Sequence, residues 1–237
     1  MIFLHEHWFE AAASIQARMG PIVIRPDGIK DDRLARQYIA SVLGILHALE
    51  GATKAGNAVV TTIRFYNKPI LIFPHDGQGG RCNAWARCDW GLFTGSVSFT
   101  PFVHGDRSGC AGPRGKYRAS TLPHERLLHE LTHIVRAVSG NWMNLEEDDE
   151  EELAAMVTNI FSVEINRRPI VDYVHGTAKT GDLAVFSREY YDENFEMIEA
   201  FCRQNKNLAV KLARVKTVFN PVFQYMDEKR PPEWSGR

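Results

Sequence analysis

The sequence lacks the features that mark membrane, secreted and nucleic-acid-binding proteins. No apolar run approaches the roughly 20 residues that a helix needs to cross a bilayer. Residues 1–10 carry His5, Glu6, His7 and Glu10, whereas a signal peptide begins with basic residues and an apolar core. The formal net charge of −1 gives no electrostatic reason to expect a nucleic acid or an anionic membrane as a partner. We therefore expect a protein made in the cytoplasm without a signal peptide, with no membrane span and no nucleic-acid partner.

Cysteine is also scarce and irregularly placed. The chain has four cysteines: Cys82, Cys88, Cys110 and Cys202. Their spacing matches neither a disulfide framework nor a zinc ribbon. The first three share a glycine-rich region with His75 and His104, so a second metal site there is an alternative. These residues are more widely spaced than zinc-ligand pairs usually are, which argues against that alternative.

The remaining composition indicates one α+β domain. A chain of 237 residues with 44% hydrophobic content can bury a sizeable core. No internal repeat or low-complexity linker divides it, so we expect a single domain over residues 1–237. Nine of the eighteen glycines lie between residues 77 and 115, which predicts loops there and argues against a mostly helical segment.

Apolar periodicity predicts helices near both ends of the chain. The first is predicted within residues 31–51 from six apolar residues at helical spacing: Leu34, Tyr38, Val42, Ile45, Leu46 and Leu49. Apolar residues again recur at helical spacing over residues 190–226, and Pro221 breaks this pattern. Tyr190 and Tyr191 could reach a cleft or could belong to the core.

Runs of β-branched and apolar residues predict a small, mostly antiparallel sheet. Residues 58–65 and 69–73 are two such runs, and the short segment between them predicts a hairpin. Residues 96–100 alternate with a period of two, which predicts a further short strand.

The clearest functional pattern is His129-Glu130-Leu131-Thr132-His133. Two histidines four residues apart lie about one turn apart on one helix face, so both imidazoles can reach a single Zn²⁺ while Glu130 holds water beside it. A chance occurrence of so short a motif on an ordinary amphipathic helix is the alternative.

The residues around this motif predict a helix that buries one face. Four apolar residues fall on one stripe at about 100° per residue: Leu127, Leu131, Ile134 and Val138. Both histidines lie nearly opposite that stripe. Pro123 suits a first turn and Gly140 ends the pattern, so both boundaries are marked. We therefore expect a helix whose histidines face a cleft.

A second helix with an acidic start supplies candidates for a third metal ligand. Residues 146–152 are all acidic and precede the apolar run 153–161. Most of these acids need no role beyond solvation and complementing the helix dipole. Catalytic zinc, however, usually has three protein ligands. If the large apolar residues of the run face the core, Glu151 lies on the opposite side and is the preferred ligand, with Glu152 as the alternative.

This arrangement resembles that of gluzincin metallopeptidases, in which the third ligand opens a Glu-x-x-Ala helix beyond the second histidine. Glu151 and Glu152 both fit this pattern, because each is followed three residues later by an alanine. These alanines are Ala154 and Ala155. The resemblance becomes more particular over residues 127–176.

That stretch contains Arg168-Pro169 and His175-Gly176 and looks like bacterial type III effector proteases and the toxin domains of type VI secretion proteins. The resemblance extends over about residues 58–176. Those relatives tend to have a second histidine before the one that matches His175, where this chain has Val174.

The resemblance implies a zincin-like fold, in which a small sheet packs on the active helix, followed by a glutamate-bearing helix and a helical C-terminal part. It also implies a polypeptide substrate that binds in extended form along an edge strand beside that helix. Residues 96–100 are the candidate for this strand, and an ordinary sheet strand is the alternative. The resemblance also implies delivery into a target cell, with a secretion component or an immunity protein as the partner.

The expected chemistry is peptide hydrolysis at a zinc ion held by His129, His133 and Glu151. Zinc lowers the pKa of its water, and Glu130 acts as the general base. His175 is the candidate donor to the developing oxyanion, and a surface-loop histidine without a role is the alternative. A rival hypothesis is a catalytically silent zinc-binding regulatory or interaction protein. The carboxylate at Glu130 argues against it, because metal binding alone does not require that residue.

Overall fold

Eight helices and a five-stranded sheet make up the part of the chain that the computed structural model describes, namely residues 15–75, 84–89, 94–101, 122–141, 147–169 and 182–229. The strands are β1 (Ala17–Met19), β2 (Ile22–Ile24), β3 (Ile70–Phe73), β4 (Ala84–Asp89) and β5 (Thr94–Phe99). The helices are α1 (Asp32–Ala52), α2 (Lys54–Tyr66), α3 (Pro123–Val138), α4 (Glu147–Glu164), α5 (Leu183–Glu193), α6 (Phe195–Gln204), α7 (Lys206–Leu212) and α8 (Pro221–Glu228). The arrangement is α+β, as the sequence predicts. None of these helices combines the length and the apolar character that crossing a membrane requires.

Helix α1 forms where the sequence predicts it. The side chain of Asp31 caps the helix by accepting a hydrogen bond from the backbone N–H of Leu34 at 2.8 Å. Five of the six predicted apolar residues are buried: Tyr38, Val42, Ile45, Leu46 and Leu49. Leu34 is 44% exposed and lies outside the buried stripe. The helix also continues through Gly51 instead of ending before it.

The predicted strand over residues 58–65 is wrong, because this segment belongs to α2. The side chain of Thr53 caps the helix by accepting a hydrogen bond from the N–H of Gly56 at 3.2 Å. Asn67 ends it in the left-handed conformation, with φ of 49° and its N–H bonded to the carbonyl of Ile63. The predicted hairpin between residues 58–65 and 69–73 is therefore absent, and only its second strand, β3, is found.

A residue far along the chain completes the start of α2. The carboxylate of Glu164, at the end of α4, accepts hydrogen bonds from the backbone N–H groups of Lys54 at 2.7 Å and Ala55 at 2.9 Å. Amides in a first helical turn have no partner inside the helix, and a carboxylate beside them also complements the helix dipole. The contact ties the end of α4 to the start of α2.

The sheet is mixed, so the expectation of a mostly antiparallel sheet is wrong. Its strand order is β1-β2-β3-β5-β4. The pairs β2–β3 and β3–β5 are parallel, whereas β1–β2 and β4–β5 are antiparallel. Helices α1 and α2 lie in the chain between β2 and β3 and supply the crossover that parallel neighbours require. Strand β5, which overlaps the predicted strand at residues 96–100, pairs on both sides and is therefore not the expected edge strand. The edge strand on that side of the described sheet is β4.

Helix α3 contacts β4 and β5 of the sheet and the helices α2 and α4. Its approach to the sheet is close at Gly95, where an added Cβ would lie 2.4 Å from Cδ1 of Ile134. The side chain of Ile134 fills the space that a larger residue on β5 would need. A larger residue at position 95 would therefore require the end of the Ile134 side chain to move.

The helical C-terminal part is present as predicted. Six of the apolar residues that give this part its helical spacing are buried, and Phe195 is partly buried. The six are Ile198, Phe201, Cys202, Leu208, Leu212 and Val215. Pro221 interrupts the helical pattern by opening a new helix, α8, at a position that tolerates proline. Tyr190 and Tyr191 are buried, which agrees with the core alternative for both.

Candidate metal centre

Both histidines of the motif lie on α3, which begins at Pro123 and ends at Val138 as predicted. The predicted apolar stripe is buried, but the opposite face is covered as well. His129 is 6% exposed and His133 is 2% exposed, and α4 packs against the helix that carries them. The histidines therefore face the interface between α3 and α4. The site reaches solvent at Glu151 of α4, whose side chain is 43% exposed.

Three side chains bring their donor atoms together at this interface. Nε2 of His129 lies 3.1 Å from Oε2 of Glu151, and Nε2 of His133 lies 3.3 Å from Oε1 of the same carboxylate. The two Nε2 atoms are 3.2 Å apart. The sequence predicted this grouping of His129, His133 and Glu151 from the spacing of the motif and the rotation of the second helix.

The donor set fits a small cation. In a tetrahedral zinc site with bonds of about 2.0–2.1 Å, neighbouring donor atoms lie roughly 3.3 Å apart. The three observed separations are close to that value, and two imidazoles with one carboxylate suit zinc chemically. His129, His133 and Glu151 could therefore hold a metal ion, and they are the one such group found among the described residues.

Electrostatics couple these groups. Burial alone would raise the pKa of Glu151, but hydrogen bonds with His129 and His133 outweigh burial and hold that pKa well below its usual range. Burial would likewise lower the pKa of His133, but the hydrogen bond with Glu151 and the charges of nearby acids raise it instead. Glu130 is among those acids and is 9% exposed. The centre is thus a negative site that attracts positive charge, either a proton or a metal ion.

The acids next to Glu151 are held by other partners. Glu150 is 4% exposed, and its carboxylate accepts hydrogen bonds from Arg136 at 2.6–2.9 Å. Glu152 points toward Tyr190, where burial and then the Glu152 charge raise the pKa of the tyrosine well above its usual range. The rotation of α4 therefore directs Glu151, and not Glu152, toward the histidines.

Four candidate catalytic or metal-binding residues from the sequence lie outside the described residues. They are His175, Cys82, Cys110 and His104. His75 is described: its Nδ1 lies 3.1 Å from the hydroxyl of Ser98, and its backbone N–H donates to the Thr100 hydroxyl at 3.0 Å. The role of His175 remains a prediction.

Sequence reasoning missed the charged residues that join α3 to α4. Arg136 is completely buried against Glu150, and Glu125, 1% exposed, binds Ser162 and Arg167. A weak signal was available, because Glu125 and Arg136 are charged residues near opposite ends of the predicted helix.

The comparisons with known proteins assign no relative to this chain. No family model, no curated protein and no solved structure matches it.

Proposed function

We propose that the protein is a zinc-dependent metallopeptidase in which His129, His133 and Glu151 hold the metal ion. The observation that carries this proposal is the convergence of these three side chains, whose donor atoms lie 3.1–3.3 Å apart. Glu130 adjoins His129 on α3. A bare zinc-storage site has no need for a carboxylate between its two histidines, whereas peptide hydrolysis does.

Each residue has a distinct role in the proposed reaction. A bound zinc ion supplies a Lewis acid and lowers the pKa of its water toward neutrality. Glu130 accepts the proton of the attacking water and returns it to the nitrogen of the leaving amine. His175 donates a hydrogen bond to the negative charge that develops on the carbonyl oxygen. The exposure of the Glu151 side chain supports access of water and substrate from that side.

The substrate in this proposal is a polypeptide that binds in extended form along β4. Strand β4 is the edge of the described sheet and contacts α3, so a peptide paired with it would run beside the metal centre. This replaces the sequence-based assignment to residues 96–100, because β5 is occupied on both sides.

We further propose that the protease is a bacterial effector or toxin delivered into a target cell by a specialised secretion system. The resemblance of residues 127–176 to effector and toxin metallopeptidases supports this role. A secretion component or an immunity protein is the expected partner. Co-purification with the products of neighbouring genes would test that association.

The direct test compares the wild-type protein with Glu130→Gln. Both should contain one zinc ion per chain by elemental analysis, and only the wild type should cleave casein. Because an effector protease can be narrowly selective, new protein N-termini should also be mapped by mass spectrometry in treated bacterial and eukaryotic lysates. Absence of zinc from the wild type would reject the metal centre. Zinc without any new N-terminus would favour the catalytically silent zinc-binding alternative.

A further inference from the structure

Charged contacts join the ligand-bearing helices at both of their ends. Arg136 near the end of α3 pairs with Glu150 at the start of α4, and Glu125 at the start of α3 contacts Ser162 near the end of α4. The two helices therefore run antiparallel. The metal ligands His129 and His133 lie between these two contacts along α3.

The first contact, which we call the Arg136 clamp, consists of Arg136 and Glu150. The Arg136 side chain is 0% exposed and donates from Nε and Nη2 to both oxygens of Glu150. Nη2 also donates to the backbone carbonyl of Asn141 at 2.8 Å. A planar guanidinium held by several acceptors fixes direction as well as distance. The Arg136 clamp therefore restrains both rotation and sliding of the first turn of α4.

The second contact, which we call the Glu125 clamp, consists of Glu125, Ser162 and Arg167. The hydroxyl of Ser162, 0% exposed, donates to Oε1 of Glu125 at 2.7 Å. Nε of Arg167, just beyond α4, lies 3.1 Å from the same oxygen. The carboxylate is 1% exposed and is neutralised by the guanidinium, so it fixes the other end of the helix pair.

We propose that Arg136, Glu150, Glu125 and Ser162 are positioning residues that select which carboxylate of the acidic run faces the two histidines. Adjacent helical residues differ by about 100° in direction, so a rotation of α4 by that angle would present a different acid. Glu150 immediately precedes Glu151, and Arg136 lies one turn beyond His133. Holding Glu150 on Arg136 thereby directs Glu151 to the metal. This inference rests on the proposed zinc centre.

Simple stabilisation of the fold is the competing explanation, and it makes a different prediction. Replacement of a buried ion pair by apolar residues of similar volume is often neutral or stabilising. The double variant Arg136→Met/Glu150→Met should therefore remain folded. If the Arg136 clamp acts only on stability, that variant should bind zinc normally. If the clamp positions Glu151, the affinity for zinc should fall although the fold persists.

The experiment measures the zinc dissociation constant by competition with a chromogenic chelator, together with the visible absorption of the Co²⁺-substituted protein. For Arg136→Met/Glu150→Met we expect a dissociation constant 10–100-fold above the wild type, on the order found when outer-shell partners are removed. The Co²⁺ bands should also change in intensity, because they report the ligand geometry. The matched control is Glu50→Met/Arg64→Met, which removes a bidentate Glu–Arg pair between α1 and α2. That control should retain the wild-type affinity.

A folded double variant with unchanged zinc affinity and Co²⁺ bands would overturn the inference and leave the proposed function standing. A wild-type protein without zinc would overturn both. If the double variant does not fold, Ser162→Ala provides the smaller change at the Glu125 clamp. Its zinc affinity should fall several-fold while circular dichroism stays unchanged, and an unchanged affinity would likewise contradict the positioning role.

Discussion

Glu130 lies between His129 and His133 in the sequence, and in the proposed reaction it accepts a proton without serving as a ligand. Glu130→Gln removes the base but keeps a side chain of nearly the same shape. We expect zinc content to be unchanged and peptide cleavage to fall by about 10²–10⁴-fold, the usual effect of losing a general base. Cleavage rates measured at equal zinc occupancy test this. Retention of most of the activity would show that another group takes the proton.

Three neighbouring acids should respond differently to the same substitution. Glu151→Gln removes a proposed ligand and should weaken zinc binding by more than the roughly 10–100-fold typical of an outer-shell change. Glu152→Gln should have little effect, because that side chain points toward Tyr190. Glu150→Gln leaves the buried Arg136 without its counter-charge and should reduce the free energy of unfolding by up to about 3–5 kcal/mol.

Chelator competition and urea unfolding on the three variants separate these effects. The structure changes one expectation here, because nothing in the sequence pattern distinguishes Glu150 from the solvated acids around it. Release of zinc by Glu152→Gln alone would mean that α4 is rotated by one residue in solution.

The histidine pair was predictable because its geometry is local: two residues four apart on a helix must lie on one face. Glu151 was predictable once the core side of the second helix was assigned. The partner of Glu150 was not, because Arg136 meets it only when α3 and α4 are packed together. That contact depends on tertiary packing, which the spacing of apolar residues along the sequence does not predict.

At the scale of elements, α2 shows how one local pattern fits two structures. Residues 58–65 contain Val59, Val60 and Ile63, which suit a strand, yet all three are buried on a helix. Asn67 adopts a left-handed conformation that serves a helix end as well as a hairpin turn. The decisive support comes from Glu164, which contacts the first turn of α2 from 110 residues away. Strand order and the internal position of β5 also depend on contacts between residues far apart in the sequence. Neither was predicted for that reason.

A pair of glycine substitutions tests the helical assignment of α2. Gly44→Ala lies in α1, where an added Cβ would meet nothing within 4 Å, so the free energy of unfolding should rise by about 0.5–1 kcal/mol. At Gly56 an added Cβ would lie 2.4 Å from the carbonyl oxygen of Leu49. Gly56→Ala should therefore lower the free energy of unfolding, by about 1–3 kcal/mol. Urea denaturation of both variants checks this, and equal stabilisation by both would refute the packing of α2 against the end of α1.

For the molecule as a whole, zinc binding should appear as increased thermal stability. An ion that binds only the folded chain stabilises it by about 2.7 kcal/mol at a free concentration 100 times its dissociation constant. In a protein of this size that should raise Tm by roughly 5–10 °C. Calorimetry with and without zinc measures the shift, and His129→Ala is the control that should show none. A similar shift in that variant would place the binding site elsewhere.

The contact of Glu164 with the start of α2 has a consequence for local opening of the fold. Helix α4 carries Glu151 at the start of its second turn and Glu164 at its end, about 20 Å apart along the helix axis. An ion held at one end would therefore resist the fraying motions that release the amides of Lys54 and Ala55 at the other. Hydrogen–deuterium exchange at these two amides should slow when zinc is added to the wild type and stay unchanged in Glu151→Gln. The beginning of α2 would then serve as a remote reporter of metal occupancy.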